Sequence, residues 1–207
     1  MTTNVTLIKG HEVAAEHPLP LGAKAPTFKL LEPATGRTRT SEELFTKDVF
    51  AVYFICNHCP HSMAWEGRLL DLTREFGDRV STVFISSSAP ELYPEDGPDE
   101  IKAHATATSF PAPYLIDLEQ TAADAYAAVR TPHAFVFHRT RGLVYNGTVD
   151  DDQEDPAAVT KRYLRDALEA AVSDRDVATP ITPLQGCGIK RRADADVIAK
   201  KRAQQSV

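Results

Sequence analysis

Seven consecutive apolar residues, Val49 to Ile55 (VFAVYFI), end directly on Cys56-Asn57-His58-Cys59. The run is too short for a buried helix and rich in β-branched and aromatic residues, so it predicts a strand covered on both faces, as in a partly parallel sheet. From Cys59 or Pro60 to Phe76 the apolar residues Met63, Leu69, Leu70, Leu72 and Phe76 recur at helical spacing. Pro60 suits a first helical turn, where no amide hydrogen is needed. The cysteine pair therefore falls where a buried strand becomes a helix.

Strands and helices alternate on either side of this junction. Phe28 to Glu32 and Thr38 to Ser41 flank a turn at Pro33 and Gly36 and read as a hairpin, with Ser41 as the cap of a short helix through Glu42 and Glu43. Val80 to Ser86 reads as a strand, Gly97-Pro98-Asp99-Glu100 as a helix start with acids at the positive dipole end, and Tyr114 to Ile116 as a strand. A helix is expected over Ala122 to Val129, then a break at Thr131-Pro132. Ala134 to His138 and Leu143 to Val149 form a second hairpin around Arg141-Gly142. Asp155-Pro156 is expected to cap a final amphipathic helix carrying Val159, Tyr163, Leu164, Leu168 and Val172. This order specifies an α/β three-layer sandwich, a mixed sheet with helices on both faces. Residues 1–20 read as an arm, 21–178 as the domain and 179–207 as a tail carrying Cys187.

An apolar fraction of 43% and a charged fraction of 25% are those of a globular protein, and no stretch is long and apolar enough to cross a bilayer. No secretory signal is readable at the N-terminus, so the expected location is the cytoplasm. Three cysteines are too few for a disulfide scaffold. In a reducing compartment a close pair is then catalytic or metal-binding. The net charge is −6, but residues 189–207 hold six Lys or Arg against two Asp, so the rest carries −10. Lys190, Arg191, Arg192, Lys200, Lys201 and Arg202 make too small a cationic face for nucleic acid. They are expected to lie on the acidic body.

Two intervening residues let two sulfurs meet when the first lies at the mouth of a helix. There a thiolate faces unpaired N–H groups, which lower a thiol pKa from about 8.5 to roughly 3.5–7.5. Cys56 is thus the expected attacking thiolate, forming a mixed disulfide that Cys59 resolves, after which a separate thiol system resets the pair.

Beyond the pair, FICNHCP at 54–60, YPEDGPDE at 93–100, PYLID at 113–117, TPHAFVF at 131–137 and GCGIK at 186–190 resemble the redoxin (AhpC/TSA-like) group of the thioredoxin superfamily, the peroxiredoxin-like proteins that carry a CxxC. The match runs over about residues 20–190, and Gly22, Ala25, Pro26 and Phe28 fit the group's opening motif. The resemblance implies a thioredoxin-like fold enlarged by an inserted strand and helix, and a thiol–disulfide oxidoreductase acting on protein or low-molecular-weight thiols without a bound cofactor or metal. It further implies a cis bond between Thr131 and Pro132, with the Thr131 backbone open to pair with an extended substrate. At His58 it implies a residue favouring the thiolate and an oxidising pair, or one that simply faces water. The superfamily's acids near the pair are unmatched, since Phe50 and Ser62 occupy those places. Glu66 or water is left as proton acceptor for Cys59.

Two other classes stay open. Peroxidase chemistry is favoured by the neighbouring peroxiredoxins, although Pro-x-x-x-Thr/Ser-x-x-Cys is absent and Arg130, the available cation, reads as a helix end. Copper or zinc binding would use Cys56, Cys59, His58 or His61, and Cys187. Cys187, between Gly186 and Gly188, is either a third redox cysteine brought to a partner by flexible neighbours or a small buried group packing the tail. The acidic run Asp150 to Asp155 lacks calcium-ligand spacing and reads as a solvated loop. Trp65 is expected to pack and His133 to line the substrate groove. Spacing sets neither the direction of exchange nor the oligomeric state.

Overall fold

The computed structural model describes residues 18–194. Residues 1–17 of the expected arm, and Lys200, Lys201 and Arg202 of the basic tail, lie outside them.

Seven strands form one mixed sheet in the order β2-β1-β5-β4-β3-β7-β8. β3 (Val49–Phe54) pairs in parallel with β4 (Val80–Ser86), and β4 with β5 (Tyr114–Ile116). β7 (His133–His138) runs antiparallel to β3 and turns into β8 (Gly142–Gly147). The hairpin β1 (Lys29–Glu32) and β2 (Arg37–Thr40) joins the far edge through β5. The apolar run is thus the central strand, buried on both faces. Val49, Ala51, Tyr53 and Ile55 face a core with α2 (Pro60–Phe76), α3 (Pro98–Ala107) and α5 (Tyr163–Val172). Phe50, Val52 and Phe54 face the other, with α1 (Ser41–Leu44) and α4 (Thr121–Ala125). Each such large side chain contributes about 1.5–3 kcal/mol on burial, which is why this segment holds the middle of the sheet.

The departures from the local reading have identifiable causes. Thr40, not Ser41, caps α1, accepting from the Glu43 amide. α4 ends at Ala125 and not at Val129, because Ala127 turns to a positive φ of 51°. α5 starts at Tyr163: the Asp151 carboxylate accepts from the Thr160 and Lys161 amides and holds the acidic segment as a loop. That loop is anchored and not merely solvated, since the buried Asp150 accepts from Trp65 Nε1 at 2.7 Å and Arg68 at 2.6 Å. Trp65 packs in the core as expected.

The C-terminal segment is part of the domain as far as it is described. Its short strand β9 (Cys187–Gly188) pairs antiparallel with β6 (Arg130–Thr131) as a separate two-stranded sheet. Arg130 is therefore a buried strand residue and not a helix end, and its guanidinium donates to the Gly186 carbonyl at 2.6 Å. Arg191 pairs with Asp124, and Arg192 with Glu91 and Glu119, so the start of the basic tail does rest on acidic surface. Among the described residues, no helix is long and apolar enough to cross a membrane.

Candidate active site

Cys56 leaves the C-terminal end of β3, and Cys59 is the N-cap of α2 with Pro60 in the first turn. The Cys56 amide donates to the buried Ser62 hydroxyl at 3.1 Å, which fixes the bend between strand and helix. The Thr131–Pro132 peptide is cis, as the resemblance implied. Thr131 meets both sulfurs: its Oγ1 lies 3.1 Å from Cys56 Sγ, and its carbonyl oxygen 3.3 Å from Cys59 Sγ. All three cysteines are free thiols.

The pair lies in an enclosed site. Cys56 is 2% exposed and Cys59 fully buried, so neither sulfur is open to the outside. Burial pushes the Cys56 thiol up, with its hydrogen bond to Cys59 and the nearby Asp96 carboxylate acting in the same direction. Cys59 instead drops to about 4, because the Cys56 thiol donates to it. Its own burial opposes this, while the Cys187 thiol and the amides of Ser62 and Cys187 add to it. Cys187 is pushed up to about 11 by partial burial and by its contact with Cys59. All three cysteines thus meet around Thr131, which contacts the sulfurs of Cys56 and Cys59 and pairs through its backbone with Cys187.

His58 does not face water. Its Nδ1 pairs with the buried Asp96 carboxylate, and its ring stacks on Tyr93 at 3.8 Å. Asp96 also accepts from the Asn57 amide at 2.7 Å, while Asn57 is held by Glu95 O and the Tyr114 hydroxyl. Ligand atoms of Cys56, His58 and Asp96 lie within 4.8 Å of one another, so this trio is where a metal would find donors. His61 is turned to Gln153 and Glu66 to His104, which removes Glu66 as the acceptor for the Cys59 proton. Asp96 was missed because the acids after Tyr93 look like dipole partners of α3. The available signal was that the acid lies within YPEDGP, before the helix starts.

The Thr131 backbone is not open to a substrate either: it is 1% exposed and paired with Cys187. His133 does not line a groove. It is 2% exposed, and its neutral ring donates from Nε2 to Asn146 Oδ1. Burial lowers its pKa to about 4. On unfolding this ring takes up a proton below pH 6.5, so its contribution is complete above that pH and declines as pH falls towards 4. The loss amounts to about 3 kcal/mol. Urea midpoints measured between pH 7 and 4 should fall accordingly, and His133→Gln should flatten the profile.

The model of the AhpC/TSA family matches residues 21–148. The crystal structure of an uncharacterized conserved protein from Geobacillus kaustophilus is similar at 34% identity and a TM-score of 0.81, covering 89% of this chain and 98% of that one. A hypothetical protein from Sinorhizobium meliloti 1021 is similar at 33% identity and a TM-score of 0.79, covering 86% and 97%. A peroxidoxin from Mycobacterium tuberculosis shares the fold, with 19% identity, a TM-score of 0.51 and coverage of 74% and 94%. No curated protein matches the chain.

Proposed function

Because the chain belongs to the AhpC/TSA family, a family of thiol-based redox proteins, we propose that its Cys56–Cys59 pair carries a reversible disulfide exchanged with protein or low-molecular-weight thiols. The observation that supports this reading best is a cysteine pair at the head of α2 packed against the cis Thr131–Pro132 peptide, with Thr131 meeting both sulfurs. His58 and Asp96 sit beside Cys56 and serve as its route for proton exchange, the task for which Glu66 is misplaced. The partners are a thiol or disulfide substrate and a separate thiol system that resets the pair, with a reducing cytoplasm as the setting.

In a glutathione redox buffer the wild type is expected to interconvert between dithiol and a Cys56–Cys59 disulfide, detected as the loss of two hydrogens in the peptides that carry the pair. Cys56→Ser and Cys59→Ser should each lower catalysed exchange by about a hundredfold or more. Full turnover in either variant would end the reading. The Thr131 hydroxyl at Cys56 supports a second reading, reduction of a peroxide by that sulfur. Consumption of hydrogen peroxide that depends on Cys56 and outpaces disulfide exchange would replace the first.

A further inference from the structure

The edge of β6 beside the cis peptide, where an extended substrate would pair, is filled by the chain itself. Thr131 pairs with Cys187 and Arg130 with Gly188. The docking is close and built: a Cβ on Gly186 would lie 2.3 Å from the Thr131 carbonyl oxygen, and Gly186 has a φ of 144°. So Gly186 provides close approach, not the flexibility expected of it. Beyond the strand, the Ile189 amide donates to Val129 O at 3.0 Å and its side chain is buried. Gln120 Nε2 and the Ala89 amide then hold the Lys190 carbonyl at 2.8 and 2.9 Å. The segment is seated like a peptide, and the side chain it delivers to the pair is a cysteine.

Exposure gives this arrangement a direction. Cys56 and Cys59 are sealed, whereas Cys187 is partly exposed and pairs with Thr131, whose carbonyl oxygen lies 3.3 Å from Cys59 Sγ. We infer that residues 186–190 are a built-in substrate strand and that Cys187 is the redox cysteine that meets external disulfides, passing electrons from the Cys56–Cys59 pair through a transient Cys59–Cys187 disulfide. This rests on the reading of the pair as redox-active.

The steps balance without any further reactant. Cys187, after giving up its proton, attacks one sulfur of an external disulfide; that S–S bond breaks and the first external thiolate leaves. The Cys59 thiolate attacks the Cys187 sulfur, forming Cys59–Cys187 and expelling the second. Cys56 loses its proton and attacks Cys59, forming Cys56–Cys59 and returning Cys187 as a thiolate, which is reprotonated. Two electrons leave the pair, and the two external thiols take up two protons, one from Cys56 and one from solvent. Disulfide donation is the same sequence in reverse.

The test uses the full chain, reduced and then mixed with oxidised glutathione, acid-quenched and mapped by mass. Cys59→Ser should trap glutathione on Cys187 and leave Cys56 unmodified. Cys56→Ser should close a Cys59–Cys187 disulfide. Cys187→Ser should still form Cys56–Cys59 with a strong oxidant, while reacting with oxidised glutathione about tenfold more slowly or worse. Wild type sampled early at limiting oxidant should yield the peptide cross-linked through Cys59 and Cys187, which makes the test independent of how well the variants fold. A glutathione adduct on Cys56 with Cys187 free, or no Cys59–Cys187 cross-link in any sample, overturns the inference while a Cys56–Cys59 disulfide keeps the pair. Absence of every internal disulfide removes both.

Discussion

Reduced protein titrated by the ultraviolet absorbance of thiolates is expected to lose one thiolate with a midpoint near pH 4, and Cys59→Ser to lose that transition altogether. The effect comes from four donors directed at one sulfur. The thiols of Cys56 and Cys187 both donate to Cys59, with the Ser62 and Cys187 amides beside them. The lowered value favours the dithiol form at neutral pH. A depressed pKa acts above itself, so this bias is complete only above the ordinary value near pH 9, shrinks through neutral pH and disappears as pH falls through 4. Cys56→Ser removes the largest donor and should raise the midpoint, and Cys187→Ser should raise it less. If Cys56→Ser abolishes the transition while Cys59→Ser retains it, the charge sits on the first cysteine and the order of attack must be rewritten.

Local sequence carries the elements around the pair. VFAVYFI announces a buried strand because burial on both faces requires apolar residues at every position, and Pro60 announces the helix because a first turn tolerates it. Both signals lie within a few residues of the cysteines, so the strand–helix junction was legible. The cis proline was not legible locally and came only from the family resemblance of TPHAFVF. The partners of the sulfurs were not legible either, because each comes from far along the chain and carries no periodic signature. Asp96 reaches His58 across 38 residues and Thr131 reaches Cys56 across 75. His133 misled for the same reason: its neighbour in sequence is the active-site proline, yet the alternation of a strand turns it into the interior to meet Asn146. Asp155-Pro156 has the pattern of a helix cap, but a carboxylate that gathers the Thr160 and Lys161 amides outweighs it. Local pattern sets elements; long-range register decides which polar groups face one another.

Register is also what Gly186→Ala is expected to break. The new methyl would lie 2.3 Å from the Thr131 carbonyl oxygen and 2.9 Å from its carbon, both backbone atoms that no rotamer change can move aside. Strain at a φ of 144° adds about 1–3 kcal/mol, and overpacking a similar amount. Against this, the β6–β9 ladder offers about 1 kcal/mol per hydrogen bond, too little to hold residues 186–188 in place. The seven-stranded sheet is separate from that ladder and should keep its fold, with the Lys190 carbonyl still clamped by Gln120 and Ala89. Cys187 then leaves Cys59 and the partial burial that hold it near 11, and its pKa returns towards about 8.5. Its alkylation at pH 7 should accelerate on the order of a hundredfold. Cys59, deprived of the Cys187 thiol and amide, should titrate at a higher pH. Exchange with external disulfides should nevertheless slow, because the exposed sulfur can no longer hand its electrons inward. A Gly186→Ala protein whose Cys187 is alkylated no faster than the wild type's would show that the close approach to Thr131 does not seat the segment.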